Sequence, residues 1–314
     1  MKGFFKSSTG VIILVAVILA VVLIGIILWV VIAGNKGTYR NVQVYQVDGH
    51  AEVYRGDKDP VEPYANMRLV NQDRVKTMTN CYLYMKMDGD KYMMAEPETE
   101  FSLEAAGTSR NSRTRISLAS GSVVTHVTKP LSTEAVYEVI TPTSTMAVRG
   151  TSFRVYVWTD DEGVIHVAIQ IMDGSVEVNL LQPDGSVNTD AVTVDGGQTA
   201  LIYQDETHTD FETILDTVDY MELDLETLEF LGIALEHGKK LSIGDRELAE
   251  LIALKSTVFR VVFLSPYGTE FASQEVYYGK KATPPMMTPT VKGHWDYDFT
   301  KPIKDDVKIR WVVE

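Results

Sequence analysis

The chain has a single cysteine, Cys81, among its 314 residues. One thiol forms no intrachain disulfide, so nothing staples the fold covalently and stability has to come from a packed core. Within NCYLYMKMDGD the cysteine sits in a strand-like stretch, which gives it a buried apolar role rather than a reactive one. Positive charge is scarce: 29 Lys and Arg stand against 43 Asp and Glu, a formal net charge of -14. This balance argues against a nucleic-acid partner and leaves no basic patch for anionic lipid. Recognisable catalytic patterns are missing as well. The six histidines, His50, His126, His166, His208, His237 and His294, are scattered, and none has a metal-binding spacing such as H-E-x-x-H. No nucleophile elbow, P-loop or dinucleotide fingerprint is present. Asp88-Gly89-Asp90 and Asp160-Asp161-Glu162-Gly163 gather carboxylates without the calcium-loop pattern and read as turns. The expectation is a non-enzymatic protein with no metal, no cofactor and no catalytic residue.

What the chain does contain begins with an uncharged apolar run, VIILVAVILAVVLIGIILWVVIA, over residues 11–33. At about 1.5 Å per residue, a helix of this length suits the roughly 30 Å hydrocarbon core of a bilayer. It is longer than the apolar region of a cleaved signal, so the expectation is an uncleaved, single-pass transmembrane helix. Residues 1–10 would then be a cytoplasmic tail too short to fold, and residues 34–41 a juxtamembrane linker. Lys2 and Lys6 against Lys36 and Arg40 give only a slight bias towards a cytoplasmic N-terminus. Ala16 and Ala20 form a small-xxx-small pair through which two copies would associate as a homo-oligomer.

Beyond residue 41 the pattern is mainly β. Residues 42–204 read as short strands separated by turn signals. Asp173-Gly174 suits a two-residue hairpin turn, and Val176, Val178 and Leu180 alternate as one buried face. Between 205 and 256 the period lengthens to about 3.6, which predicts a short helical connector. Phe211, Ile214, Leu215 and Val218 mark one helical stretch; Leu225, Leu228, Leu231 and Leu235 mark a longer helix with Asp224 as N-cap and Gly238 as its stop. Ser242 and Asp245 have capping-box-like spacing before a third stretch carrying Leu248, Leu251 and Ile252. Residues 257–314 return to strands, with 258–264 and 307–313 expected to pair.

The segment TPTSTMAVRGTSFRVYV, residues 141–157, resembles the motif of the FecR-like domain family. MRLVNQDRVKT (67–77), ISLASGSVVTHV (116–127), MDGSVEV and VDGGQTALI resemble further family elements in the expected order. The resemblance implies an all-β sandwich or jelly-roll-like domain over 42–204 and marks Thr141, Pro142, Arg149, Gly150, Thr151 and Phe153 as its motif residues. Pro142 is expected to end pairing on an edge, Gly150 to relieve crowding at a strand start, and Arg149 to donate to carbonyls or a carboxylate. Some members are thought to cleave themselves at a Gly-Thr bond, which Gly150-Thr151 would supply; a structural Gly-Thr at a strand start is the other reading. Residues 257–314 resemble a second family, the small β-grasp-like surface repeats of the internalin B type, through Gln274, Val276, Gly279, Ala282 and Pro285 and then Gly293, Trp295, Ile303, Asp306, Ile309 and Trp311. Trp295 and Trp311 would line a glycan site or form the core of this module.

These resemblances imply a protein of the cell membrane with its N-terminus cytoplasmic and its C-terminal region extracellular. The expected function is sensing or interaction with an extracytoplasmic protein or envelope component, with an adhesive or scaffolding surface role as the alternative. Anti-sigma activity by a cytoplasmic N-terminal domain is not expected, because MKGFFKSSTG is too short to provide one.

Overall fold

The structure is a computed structural model that describes residues 41–107, 111–188 and 190–314. Sixteen strands form the first body: β1 (Val42–Asp48), β2 (Ala51–Tyr54), β3 (Arg68–Leu69), β4 (Arg74–Thr77), β5 (Tyr82–Met87), β6 (Lys91–Ala95), β7 (Glu100–Ala106), β8 (Arg113–Val127), β9 (Val136–Ile140), β10 (Ser144–Val148), β11 (Ser152–Thr159), β12 (Ile165–Asp173), β13 (Ser175–Leu180), β14 (Val192–Asp195), β15 (Thr199–Gln204) and β16 (Thr209–Leu215). They make two layers. The first runs β3-β1-β5-β6-β8-β11-β12-β15-β16 and the second β2-β4-β7-β8-β9-β10-β13-β14.

β8 belongs to both layers. Its first part pairs with β7 and, in parallel, with β9, and its last part pairs with β6 and β11. The strand turns between layers at Gly121, whose φ is +78° and where a Cβ would lie 2.4 Å from the Thr99 Cα. Only glycine meets both conditions. Alternating residues of the two layers, such as Val155 and Val167 from one and Val139, Val176 and Val178 from the other, fill the space between them. This is the physics of a β-sandwich: period-two strands each give one face to a shared core.

The chain also crosses between layers at Asp173-Gly174. β12 pairs with β11 and β15, whereas β13 pairs with β10 and β14, so the expected hairpin turn is instead a corner. A second crossing at Gly196-Gly197 lies against it, with Gly196 N donating to Gly174 O at 2.7 Å. A hairpin and a corner both call for positive φ, so the dipeptide alone does not distinguish them.

Two short helices cover part of the outer face of the first layer. α1 (Leu225–Glu236) follows the leucine stripe, with Asp224 accepting from Thr227 N as N-cap. α2 (Asp245–Lys255) is capped by Gly244 without a side-chain hydrogen bond, so the expected Ser242 and Asp245 box is absent; the Ser242 hydroxyl is bonded to that of Tyr220 instead. Leu228, Phe230 and Leu231 of α1 and Leu248 of α2 pack on Tyr82, Tyr84, Met94, Val124 and Met172 of the sheet. Each such side chain contributes about 1.5 to 3 kcal/mol by leaving water. The stretch with Phe211, Ile214 and Leu215 is not helical; it forms β16 against β15. A bulge in that pairing shifts the alternation by one residue, which produces a spacing of three between apolar positions.

β17 (Val258–Leu264), β18 (Glu270–Tyr277), β19 (Gly293–Trp295) and β20 (Val307–Val313) form a separate four-stranded sheet in the order β18-β17-β20-β19. Its central pair, β17 and β20, is parallel and the outer pairings are antiparallel. Phe263, Val276, Ile303 and Ile309 form its core, with Trp295 against it.

The expected membrane architecture is corrected on this structure. Among the described residues the molecule is mainly β with two short helices, and none of its helices is long and apolar enough to cross a membrane. The run at 11–33 itself lies outside the described residues, as do the tail and nearly all of the linker. Among the described residues, the single-pass anchor, the assignment of cytoplasmic and extracellular ends and the association of copies through a membrane helix have no structural element to carry them.

The two glycine environments make a testable contrast. Gly121→Ala combines strain with a clash into backbone and is expected to cost more than about 3 kcal/mol in urea unfolding of the full chain. Gly185→Ala, also at positive φ but with nothing within 4 Å of the added methyl, is expected to cost only about 1 to 2 kcal/mol.

Candidate functional site

The expected motif residues fall at two ends of β10. At one end, Thr141 and Pro142 make the turn between β9 and β10: Thr141 N donates to Ser144 O at 2.8 Å, and the Thr141 hydroxyl accepts from Ser144 N at 3.0 Å. Pro142 thus occupies a tight turn and ends no edge strand. At the other end Arg149 is exposed; its carbonyl accepts from Leu131 N at 2.9 Å, while its guanidinium has no partner among the described residues. Phe153 is fully buried beside Tyr137.

Gly150 and Thr151 lie under the end of α1. The Gly150 carbonyl accepts from Lys239 Nζ at 2.7 Å, and the same ammonium is paired with Asp173 at 2.8 Å. Thr151 is buried, and its hydroxyl has no hydrogen-bond partner. The carbonyl of this peptide is therefore held by a cation, but among the described residues no base is hydrogen-bonded to the threonine hydroxyl.

The strongest polar constellation is one that the motif only touches. Arg154, one residue beyond Phe153, donates twice to Glu96, with Nε and Nη2 both at 2.7 Å from its carboxylate oxygens. Its Nη1 donates to Gln170 Oε1 at 3.0 Å. The Thr227 hydroxyl of α1 donates to Glu96 Oε1 at 2.9 Å, and the Tyr82 hydroxyl donates to Asp224, the N-cap of α1. Burial pulls the Arg154 guanidinium down, but the charge and hydrogen bonds of Glu96 outweigh it and hold the pKa above the ordinary value. Burial and the Asp224 carboxylate push the Tyr82 phenol up, so it stays a donor.

The far end of α1 is held by aromatic nitrogen rings. His126 Nε2 lies 3.0 Å from His237 Nδ1, and the Tyr92 ring stacks on His126 with centroids 4.9 Å apart and planes 7° apart. His126 Nδ1 is buried without a partner. Burial first, then His237 and Lys239, lower the His126 pKa from 6.5 to about 3, which makes it a neutral packing group.

The other candidates resolve into structural roles. Asp88 and Asp90 hold the buried Lys91 ammonium at 3.3 and 2.5 Å. Asp160 accepts from its own loop and from His166, whose hydrogen bond lowers the carboxyl pKa. Cys81 is buried and free, with its thiol pKa raised by burial. Among the described residues no three His, Cys, Asp or Glu side chains come together as a metal site. Glu96, Arg154 and Thr227 escaped sequence reading because they are joined across 58 and 131 positions with no shared local pattern.

A model of the family described as FecR protein matches residues 73–177, so the chain carries a FecR-like region. No curated protein matches the chain. Two crystal structures of candidate anti-sigma factors from Parabacteroides distasonis ATCC 8503 are similar to it. One is 16% identical over 46% of this chain and 57% of its own, with a TM-score of 0.30, so the chain spans a little over half of its length. The other is 12% identical over 78% of this chain and 97% of its own, with a TM-score of 0.34. At these scores the two structures carry no argument about fold or role.

Two outcomes test the landing of α1. Arg154→Met strands a buried carboxylate and is expected to cost about 3 to 5 kcal/mol in urea unfolding, whereas Thr227→Val removes one bond to a charge and costs about 1.5 to 3 kcal/mol. The folded-state pKa of His126 lies below its unfolded value, so the unfolded chain takes up the proton first as pH falls. Its contribution to stability is complete above about pH 6.5 and is lost towards pH 3, by at most about 1.4 kcal/mol per unit. His126→Gln should flatten the slope of unfolding free energy measured between pH 7 and 5.

Proposed function

We propose that the chain is a FecR-like protein-interaction module that binds a partner protein and performs no chemistry. The observation that carries this reading is the FecR match over residues 73–177, which falls on the strands that build the centre of the sandwich. The side chains with chemical potential support it: His126 is a neutral packing group, Asp88 and Asp90 neutralise Lys91, and among the described residues no base is hydrogen-bonded to the Thr151 hydroxyl. The protein is non-enzymatic. Its working units are the sandwich over 42–204, the connector over 205–256, which contributes β16 and the two helices, and the sheet over 257–314.

The finer reading of the C-terminal sheet as a repeat of the internalin B type is supported by its parallel central pair and its tryptophan-containing core. Trp311 is 9% exposed, with Trp295 packed edge-on against it and against Phe263. This packing supports a core role for both indoles over a glycan platform.

Chemical crosslinking in cells of the source organism, followed by washing in high salt, tests the function. The expected outcome is one reproducible partner protein. Recovery of abundant neighbours alone, unchanged when the protein carries a destabilised sandwich, overturns the reading.

A further inference from the structure

After Arg154 the chain contains no lysine or arginine until Lys239, while the same stretch holds nineteen Asp and Glu residues. It builds most of β11, β12 to β16 and α1, and its strands β12 to β16 carry part of that negative charge to one end of the sandwich. β16 is the last strand of the first layer there. Among the described residues it pairs with β15 on one side and with no strand on the other.

Unpaired strand edges are normally blunted by charged side chains, above all lysine, by proline, a bulge, shortness or a covering segment. The other edges of the sandwich follow that rule: β3 has 2 residues, β14 has 4, and β2, also of 4, is bridged by Val61. β16 is longer, with 7 residues and neither lysine nor proline, and is blunted only by the bulge at Glu212 and by its two carboxylates. Its side chains Ile214 and Leu215 are 38% and 44% exposed, and Asp210 and Glu212 are exposed with no cationic partner among the described residues. The bulge in its pairing with β15 divides the edge into two short stretches, so side-chain charge has to supplement the backbone ladder.

We propose that β16 is a docking edge for an extended, lysine- or arginine-bearing segment of a partner protein, which adds to the first layer as a further strand. Backbone groups of the edge provide the ladder, Ile214 and Leu215 the apolar contact, and Asp210, Glu212 and the neighbouring Asp216 the attraction for cations. A second copy of this chain is a poor occupant, because like carboxylates would then face one another across the new pair. The inference rests on the interaction-module reading and adds to it a place and a partner chemistry.

Fluorescence anisotropy of the full chain with a labelled alternating Val-Lys peptide, matched to β16 in length, tests it. The peptide should bind, bind more weakly as sodium chloride screens the charges, and lose at least about tenfold in affinity against the Asp210→Lys, Glu212→Lys double variant. A peptide of equal charge interrupted by proline should lose at least about as much, since proline cannot complete a ladder. An unchanged urea midpoint for the variant confirms that its fold is intact. Absence of binding, equal binding of the proline-interrupted peptide, or indifference to the double substitution overturns the proposal. So does a dimer in sedimentation that the substitution dissolves, because a second copy then holds the edge. A crosslinked partner that contacts another surface leaves the interaction-module reading standing while this inference fails.

Discussion

The bidentate pair between Arg154 and Glu96, closed by the Thr227 hydroxyl, is the contact on which the arrangement of the molecule depends. Removing these charges from water costs several kcal/mol each, and the cost is offset only while all the donors and acceptors meet. Arg154 lies on β11, Glu96 just after β6, and Thr227 in the first turn of α1. An apolar substitute would pack as well on many registers of a helix over a sheet. A carboxylate that needs one hydroxyl and two guanidinium nitrogens accepts one register, and α2 then follows because it packs on the same apolar patch.

The two ends of α1 are matched to its dipole. The positive N-terminal end meets Asp224 and Glu96, and the cation just beyond the C-terminal end is Lys239. Lys239 also grips Asp173 and the Gly150 carbonyl. The motif peptide at Gly150 and Thr151 is thus fixed from outside by a residue of the helical connector, and its rigidity belongs to the assembly rather than to the strand that contains it. At that C-terminal end the neutral His126 packs with His237 under the Tyr92 ring.

Elements whose signal is local were legible in the sequence. The alternation at Val176, Val178 and Leu180 is the buried face of β13, and the leucine spacing from Leu225 gives α1 with its aspartate cap. Elements whose signal depends on a partner were not. Gly174 reads as a hairpin turn until β13 is seen to pair with β10, and β16 reads as helix because a bulge changes its period. The same division holds for the site. Thr141 to Phe153 form a recognisable run, whereas the joining of Glu96, Arg154 and Thr227 is a property of the folded chain alone.

The region that matches FecR protein, residues 73–177, is not closed by its own strands. β5 takes its neighbour from β1, and β4 takes its neighbour from β2, both upstream of the match. β12 and β13 take theirs from β15 and β14, both downstream of it. A chain cut to the matched region would bare four strand edges in two layers, and unpaired edges of that length recruit other strands. It would also lose Thr227 and Lys239, leaving a buried carboxylate and the Gly150 carbonyl short of donors. The physical unit is therefore larger than the matched one. It includes at least β1 and β2 upstream of the match and, downstream, β14, β15, α1 and Lys239.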